Sequence, residues 1–359
     1  MPFDLRPLSL PEADHPARRD ARAVARWLLG VAGLVWLMVA IGGATRLTGS
    51  GLSIMEWAPL SGALPPMTEA EWNRLYDLYR SIPQYALVNQ GFGLEGFKGI
   101  FWLEWLHRQW GRLIGLAFVT GLAWFWVRGR IPRGYKPRLL GLLALGGLQG
   151  AIGWYMVASG FEADRTAVSP YRLVIHLGLA LVIYGALVWT ALGLLRPAPE
   201  GPPEARPVAA LVRVTFWALV AAMLAGGFVA GTRAGFTWNT FPLMDGALVP
   251  TGLLALDPWW RNLTANLLTV QFNHRVLATL AGLAALGAVL LALWRLPPGR
   301  PRRAVLGLGA AVALQYALGV ATLLWVVPVA LGTLHQATAV LVLTAALVAL
   351  HALRPARAP

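Results

Sequence analysis

Four of the chain's six histidines lie inside long apolar stretches: His107, His176, His274 and His335. Imidazole can ligate a metal or move a proton. An ionisable side chain in a membrane-length apolar run is costly enough to be a functional candidate. These four form two pairs in a repeated context. "HRQWGRLIGLA" from His107 and "HRVLATLAGLA" from His274 agree as HR-x4-L-x-GLA, and His176 and His335 follow at similar distances. Facing helices that each bring one imidazole inward can hold an iron porphyrin, because haem iron takes axial histidines and bundle cores host such sites. A single intramembrane histidine is often only an interhelical hydrogen-bond partner. Four at repeat-related positions point instead to two bis-histidine sites. His15 and His351 have no counterparts and are assigned no function.

Glu104 stands three residues before His107, and Gln271 takes the matching place before His274. Residues three apart share a helix face. A carboxylate on the His107 side could transfer protons or stabilise positive charge, and a glutamine could not; the plainer reading is a carboxylate at the outer interface, solvated or paired with a neighbouring arginine such as Arg108. The asymmetry suggests chemistry at the first site and a fixed cofactor at the second. Arg108 and Arg275 each follow a histidine. Their planar forks suit carboxylates such as haem propionates, and snorkelling to lipid headgroups is the plainer reading.

The elements that must position these residues are helices. The 359 residues are 57% hydrophobic and 13% charged, too little charge for a soluble surface of this size. Runs of about 20 apolar residues suffice to cross a bilayer. The expected fold is an all-α integral membrane protein with eight transmembrane helices, near 25–45, 98–126, 139–158, 171–195, 209–231, 266–294, 304–326 and 330–353. The apolar run from Trp27 to Ala44 reads as the first of these rather than as a cleaved leader. The net charge of +14 sits in short segments between runs, a positive-inside pattern rather than a nucleic-acid surface. It places both termini in the cytoplasm. With no cysteine, any metal must take nitrogen or oxygen ligands. Most of the 17 tryptophans read as interfacial anchors. The long loop after the first helix holds a Thr68–Glu71 capping box.

The repeat extends past the histidines. Residues 42–66 align without a gap on 226–250, and "LQGAIG" (148–153) matches "LQYALG" (314–319). Blocks recurring in order indicate duplication. The expected organisation is two repeated four-helix bundles. A tail over 1–24 precedes a first bundle at 25–195. A Pro-rich linker over 196–208 leads to a second bundle at 209–353 and a tail over 354–359. Four helices per copy make the repeats parallel. The glycines of "GGLQG" and the Gly pairs at helix ends are expected to permit close helix approach.

"GGATRLTGSGLSIMEWAPLSGALPP", "EGFKGIFWLEWLHRQWGRLIG", "AGTRAGFTWNTFPLMDG" and "VQFNHR" resemble the haem A synthase family, from about Trp27 to Leu353. The resemblance implies an oxidoreductase of the plasma membrane. It would convert haem O to haem A by oxidising the ring C8 methyl to a formyl group, with haem B as cofactor. It also implies that His274 and His335 ligate haem B, with Arg275 beside it, and that His107, His176 and Arg108 bind the substrate haem. Glu104 matches the family's catalytic glutamate. Implied partners are an unidentified electron donor, haem O synthase, cytochrome oxidase assembly factors and a second copy of the chain. Two departures stand out: no cysteine pair is present, and Ala265 takes a position that is often acidic. A dihaem cytochrome oxidising quinol is the alternative. It would use both pairs symmetrically and need no Glu104. A transporter is a third reading, weakened because the ionisable residues cluster near one membrane face.

Overall fold

A computed structural model describes residues 16–58 and 61–355. Among them eight helices are long and apolar enough to span a membrane. These are α1 (Pro16–Leu47), α4 (Leu94–Val127), α5 (Lys136–Ala158), α6 (Pro170–Leu195), α7 (Ala205–Thr232), α9 (Leu267–Arg295), α10 (Arg300–Leu324) and α11 (Val329–Ala352). Short helices α2 (Glu69–Arg80) and α3 (Pro83–Leu87) lie between α1 and α4, and α8 (Asn262–Ala265) precedes α9. No β-strand occurs among the described residues.

Local chemistry sets the boundaries. Proline occupies the first turn of α5, α6 and α10, where its missing N–H costs nothing. Gly129 (φ 64°) and Gly134 (φ 81°) turn the chain between α4 and α5. Thr68 caps α2 with the expected capping box to Glu71. The α10–α11 turn is strained: Val326 and Val327 both take left-handed backbone (φ 58° and 54°), which β-branched residues resist. Several boundaries differ from expectation: α4, α7 and α10 each begin four residues early, at Leu94, Ala205 and Arg300 rather than 98, 209 and 304. The first helix starts at Pro16, not 25, because Arg18, Arg19, Arg22 and Arg26 are good helix formers that extend the spanning segment. The linker likewise ends at 204, where α7 begins. Residues 1–15 and 356–359 of the expected tails, including His15, lie outside the described residues.

Each group of four long helices closes a ring of neighbours. In the first, α1 packs on α4 and α6, and α5 joins α4 to α6. In the second, α7 packs on α9 and α11, and α10 joins α9 to α11. The rings meet along α1–α11, α6–α7 and α6–α11. Helix α1 buries Val24, Leu28, Val31, Val35 and Val39, a stripe of helical period, against Leu187 and Ala191 of α6 and Val340 and Leu343 of α11. Leu283, Leu286 and Leu290 of α9 stay exposed, as a lipid-facing surface requires. Three tryptophans are interhelical ties rather than surface anchors. Trp27 donates to the Ala117 carbonyl (3.0 Å), Trp36 to Ala337 (2.9 Å) and Trp110 to Leu34 (2.8 Å).

The α1–α4 loop folds into a cap of its own. Leu52, Leu75, Tyr79, Ile82, Phe97 and Phe101 form an apolar cluster. Gln84 ties it to the end of α1 by donating to the Gly49 carbonyl (2.9 Å). This cap packs against Trp105, Met156, Val157 and Leu173 of the first ring.

Candidate functional site

The four histidines occupy matched places. His176 and His335 are each the seventh residue of their helices, α6 and α11. His107 and His274 lie on α4 and α9, the second long helix of each ring. The His274 and His335 ring centres are 6.5 Å apart, with planes at 87°. A metal–nitrogen bond of about 2 Å puts two axial imidazole centres about 6 Å apart, so this spacing suits one metal between them. His274 Nδ1 lies 2.9 Å from the Ala222 carbonyl. That oxygen can only accept, so the proton resides on Nδ1 and the Nε2 lone pair is left for a ligand.

A glycine backs every one of these rings. A Cβ built on Gly42 would lie 3.2 Å from His107 Nε2, and one on Gly226 would lie 3.0 Å from His274 Cε1. Gly153 and Gly319 stand at 3.0 and 2.9 Å from Cε1 of His176 and His335. Gly42 pairs with Gly226 in the repeat, and Gly153 with Gly319. A Cβ would crowd the imidazole at all four places, most at Gly319. The expected role of the Gly-rich segments is met only in part: Gly43 and Gly227 face side chains of the neighbouring helices α11 and α6. Gly42 and Gly226 admit a histidine ring, not a helix backbone, and Gly146, Gly147 and Gly150 of "GGLQG" have nothing within 4 Å.

Two glutamines, one in each copy, hold the second histidines. Gln149 Nε2 donates to the His176 carbonyl (3.1 Å) and lies 3.4 Å from His176 Nε2. Gln315 Nε2 donates to the His335 carbonyl (2.9 Å) and lies 3.1 Å from His335 Nδ1. Both carboxamide oxygens are buried without a partner.

Glu104 is 2% exposed. It accepts from Ser53 Oγ (2.8 Å), the Ile54 amide (2.9 Å) and Arg108, whose Nη2 is 2.7 Å away. Every partner is a donor, the complement a carboxylate calls for. Arg108 also donates to the carbonyls of Glu56 (2.6 Å) and Ile54. The second ring repeats this wiring with one inversion. Arg275 donates to the carbonyls of Thr240 (2.9 Å) and Trp238 (2.6 Å) and to Gln271 Oε1 (2.9 Å). Gln271, however, donates, to the carbonyls of Ala234 (2.8 Å) and Thr237 (2.5 Å). Trp238 and Thr240 are the repeat partners of Ile54 and Glu56. Each arginine thus clamps the loop that leaves the first helix of its ring. Arg275 keeps one buried nitrogen, Nε, without a partner.

The structure therefore brings His274 and His335 together, sets Glu104 and Arg108 in one ion pair, and ties both to the first loop. Among the described residues no cluster of three or more His, Asp or Glu could hold a bare metal ion. Sequence reasoning missed Ser53, Gln149, Gln315 and the four backing glycines. The signal was present, since all but Ser53 recur in the aligned blocks.

The COX15-CtaA family model, described as cytochrome oxidase assembly protein, matches residues 25–347. The chain is 56% identical over 341 residues to the heme A synthase of Granulibacter bethesdensis, covering 95% of this chain and 90% of that protein. Against the heme A synthase of Rhodospirillum centenum the identity is 51% over 360 residues, covering 98% and 94%. Against that of Parvibaculum lavamentivorans it is 48% over 351 residues, covering 96% and 98%.

Proposed function

The chain belongs to the COX15-CtaA family, and from that premise we propose how its residues serve the reaction. The activity is that of a heme A synthase: an oxidoreductase in the membrane takes a methyl carbon of haem O to the aldehyde level of haem A. Electrons must leave that carbon for an acceptor, and protons must be carried away.

The first ring of helices is the substrate side, where His107 and His176 would hold haem O. The second is the cofactor side, with His274 and His335 holding haem B. The residues fit such a group on three counts. The second pair has the spacing for one metal. Each ring has a glycine behind it. The donor set, imidazole nitrogens in a fold without cysteine, is one that haem iron accepts. Haem B held there supplies a one-electron carrier.

Glu104 is the proposed catalytic carboxylate. Its place one turn from His107, with Gln271 as its counterpart, is the observation that carries the division of labour between the halves. It can take or relay a proton as C–H bonds of the methyl are broken. Arg108 and Arg275 line the two sites and hold the loops over them, excluding water. A propionate role is open to the unpartnered Arg275 Nε. We place the protein in the plasma membrane with both termini in the cytoplasm. The basic residues between α4 and α5, α6 and α7, and α9 and α10 all fall at one end, as the positive-inside rule asks. Its partners are haem O, an electron donor and the enzymes that supply haem O and receive haem A.

The test is haem extraction from membranes of a host that makes haem O. Chromatography should show haem A when the chain is present and none when Glu104 or His107 is replaced. Bound haem with redox activity but no haem A would favour the dihaem electron carrier instead.

A further inference from the structure

We propose that a cleft at the basic end of the molecule, where α6, α7 and α11 meet, binds the headgroup of an anionic phospholipid and so ties the two rings of helices together.

The cleft measures about 320 Å3, and its walls include Trp189 of α6, Arg213 and Trp217 of α7, Leu350 of α11 and Arg354 just past it. Helix α6 belongs to the first ring and the other two to the second, so the cleft opens across the joint between them. None of its lining residues is acidic. The neighbouring carboxylate, Glu200, is taken up by Arg196 (3.5 Å) and Arg300 (2.9 Å). The Arg213 side chain is exposed and has neither an ion pair nor a hydrogen bond among the described residues. Arg354 gives Nε to the His351 carbonyl (3.1 Å) and Nη2 to the carbonyls of Arg196 (2.7 Å) and Ala198 (3.3 Å). Its Nη1 has no acceptor among the described residues. Two guanidinium groups thus line one cleft with no carboxylate to meet them.

Their position says what does. Arg213 is the ninth residue of α7, about 12 Å along its axis. Val214 and Trp217 beside it are 56% and 64% exposed, as on a face turned to lipid. An unpaired charge at that border is costly, and an arginine that reaches a lipid phosphate escapes the cost. The guanidinium fork matches phosphate oxygens, and basic pockets between helices on the cytoplasmic side suit anionic headgroups. Trp217 and Val214 continue from the cleft as an apolar face for an acyl chain, which a free phosphate would not use. A zwitterionic lipid brings a cation of its own, which the two arginines repel. The walls are already braced: Trp189 meets the His351 ring edge-on at 5.4 Å, and three carbonyls hold Arg354.

Native mass spectrometry of the full-length protein, purified in detergent with its haems and titrated with phosphatidylglycerol or phosphatidylcholine, tests this. The wild type should retain phosphatidylglycerol in preference to phosphatidylcholine. Arg213→Gln should weaken phosphatidylglycerol binding about fivefold, the worth of one basic group at an anionic surface, and leave phosphatidylcholine unchanged. Arg213→Lys keeps the charge and should keep the preference. Arg206→Gln is the control, since Arg206 is exposed on the same helix but lies outside the cleft. Trp217→Ala should weaken retention of both lipids, and it serves if Arg213→Gln does not fold. Phosphatidylglycerol should also raise the unfolding temperature of the wild type more than that of Arg213→Gln, as a ligand joining the rings must. Equal retention of the two lipids by the wild type overturns the proposal, as do equal losses in Arg213→Gln and Arg206→Gln or no loss in Trp217→Ala. Displacement of the retained lipid by inorganic phosphate would show that only a small anion is read, and would overturn it too.

Discussion

Gly319→Ala offers a clean test of how the histidines are aimed. The added Cβ would lie 2.9 Å from His335 Cε1, whereas ordinary contact starts at 3.4 Å. Ring or helix must therefore give by about 0.5 Å. A metal–imidazole bond of about 2 Å tolerates an error of only about 0.2 Å. The alternative is to move α10, whose buried Val305, Leu308 and Val312 are packed into the second core. Overpacking of this kind costs about 1–3 kcal/mol. Charged to the bound state, that is roughly a 5- to 150-fold loss of haem affinity. Gly226→Ala, at 3.0 Å from His274 Cε1, should act in the same direction and more mildly. Gly146→Ala and Gly150→Ala are the controls. Nothing lies within 4 Å of either, so each should be neutral or stabilise α5 by up to about 1 kcal/mol. The assay is haem retained per chain after purification, with the electron paramagnetic resonance spectrum of the ferric protein. If Gly319→Ala keeps its second haem with an unshifted low-spin signal, the glycine does not aim the ring and the argument fails.

Two further outcomes follow from contacts already described. Glu104→Gln should cut haem A formation by about 100- to 10,000-fold, the usual worth of a proton-transferring side chain, with haem content unchanged. Ser53→Ala removes only one bond to that carboxylate and should cost far less activity, so equal losses in the two variants would mean that Glu104 is merely a loop anchor. On the surface, Arg74 hydrogen-bonds Glu56 and holds its carboxyl below the usual value of 4.5. A depressed folded-state value makes the pair's stabilisation present above 4.5 and lost as the pH falls through the folded value. Thermal unfolding of Arg74→Ala should thus show a deficit of under about 1 kcal/mol at neutral pH that disappears in acid. A deficit that persists in acid would contradict the ion-pair account.

Much of this was legible in the sequence because membrane helices announce themselves. The segment expected at 171–195 is α6, Pro170–Leu195, and the Thr68 capping box forms as drawn. The start of α1 was missed because arginines end an apolar run without ending a helix. The matched placing of the four histidines was legible through the repeat, and so was the Glu104–Gln271 contrast. The Glu104–Arg108 pair was within reach too, as the plainer reading of that carboxylate, but the rest of what the two residues touch was not. Their partners Ser53, Ile54 and Glu56 lie some 50 residues away, brought near only by the return of the first loop. The gapless alignment did hold a clue, since Ile54 and Glu56 fall opposite Trp238 and Thr240, and the two arginines grip these same loop positions. Gly42 and Gly226 were read as helix–helix contacts because a sequence shows that a side chain is missing but not what fills the gap.

The double glycines raise a question that reaches beyond either half. Gly42 backs His107 in the first ring, while its neighbour Gly43 faces Gln336, the residue after His335 in the second. Gln336 in turn donates to the Val39 carbonyl of α1 (3.0 Å). The repeat partner of Gly43 behaves likewise: Gly227 faces Val174 and Leu177 on either side of His176. Each glycine pair thus forms a wall between its own first histidine and the other half's second. The two sites are separated by shared backbone, and a change in one should register in the other. Gly43→Ala tests this. Its Cβ would fall 2.7 Å from Gln336 Oε1, so the carboxamide must swing aside and its bond to Val39 weakens. Interhelical bonds of this kind are worth about 0.6 to 1.7 kcal/mol, enough to move a ligand set without unfolding the protein. The expected result is a shifted low-spin signal or midpoint potential for the haem of the second ring, caused by a substitution in a helix of the first. A change confined to the first ring's haem would show that the wall insulates rather than couples, and the two halves would then be independent sites that happen to share a chain.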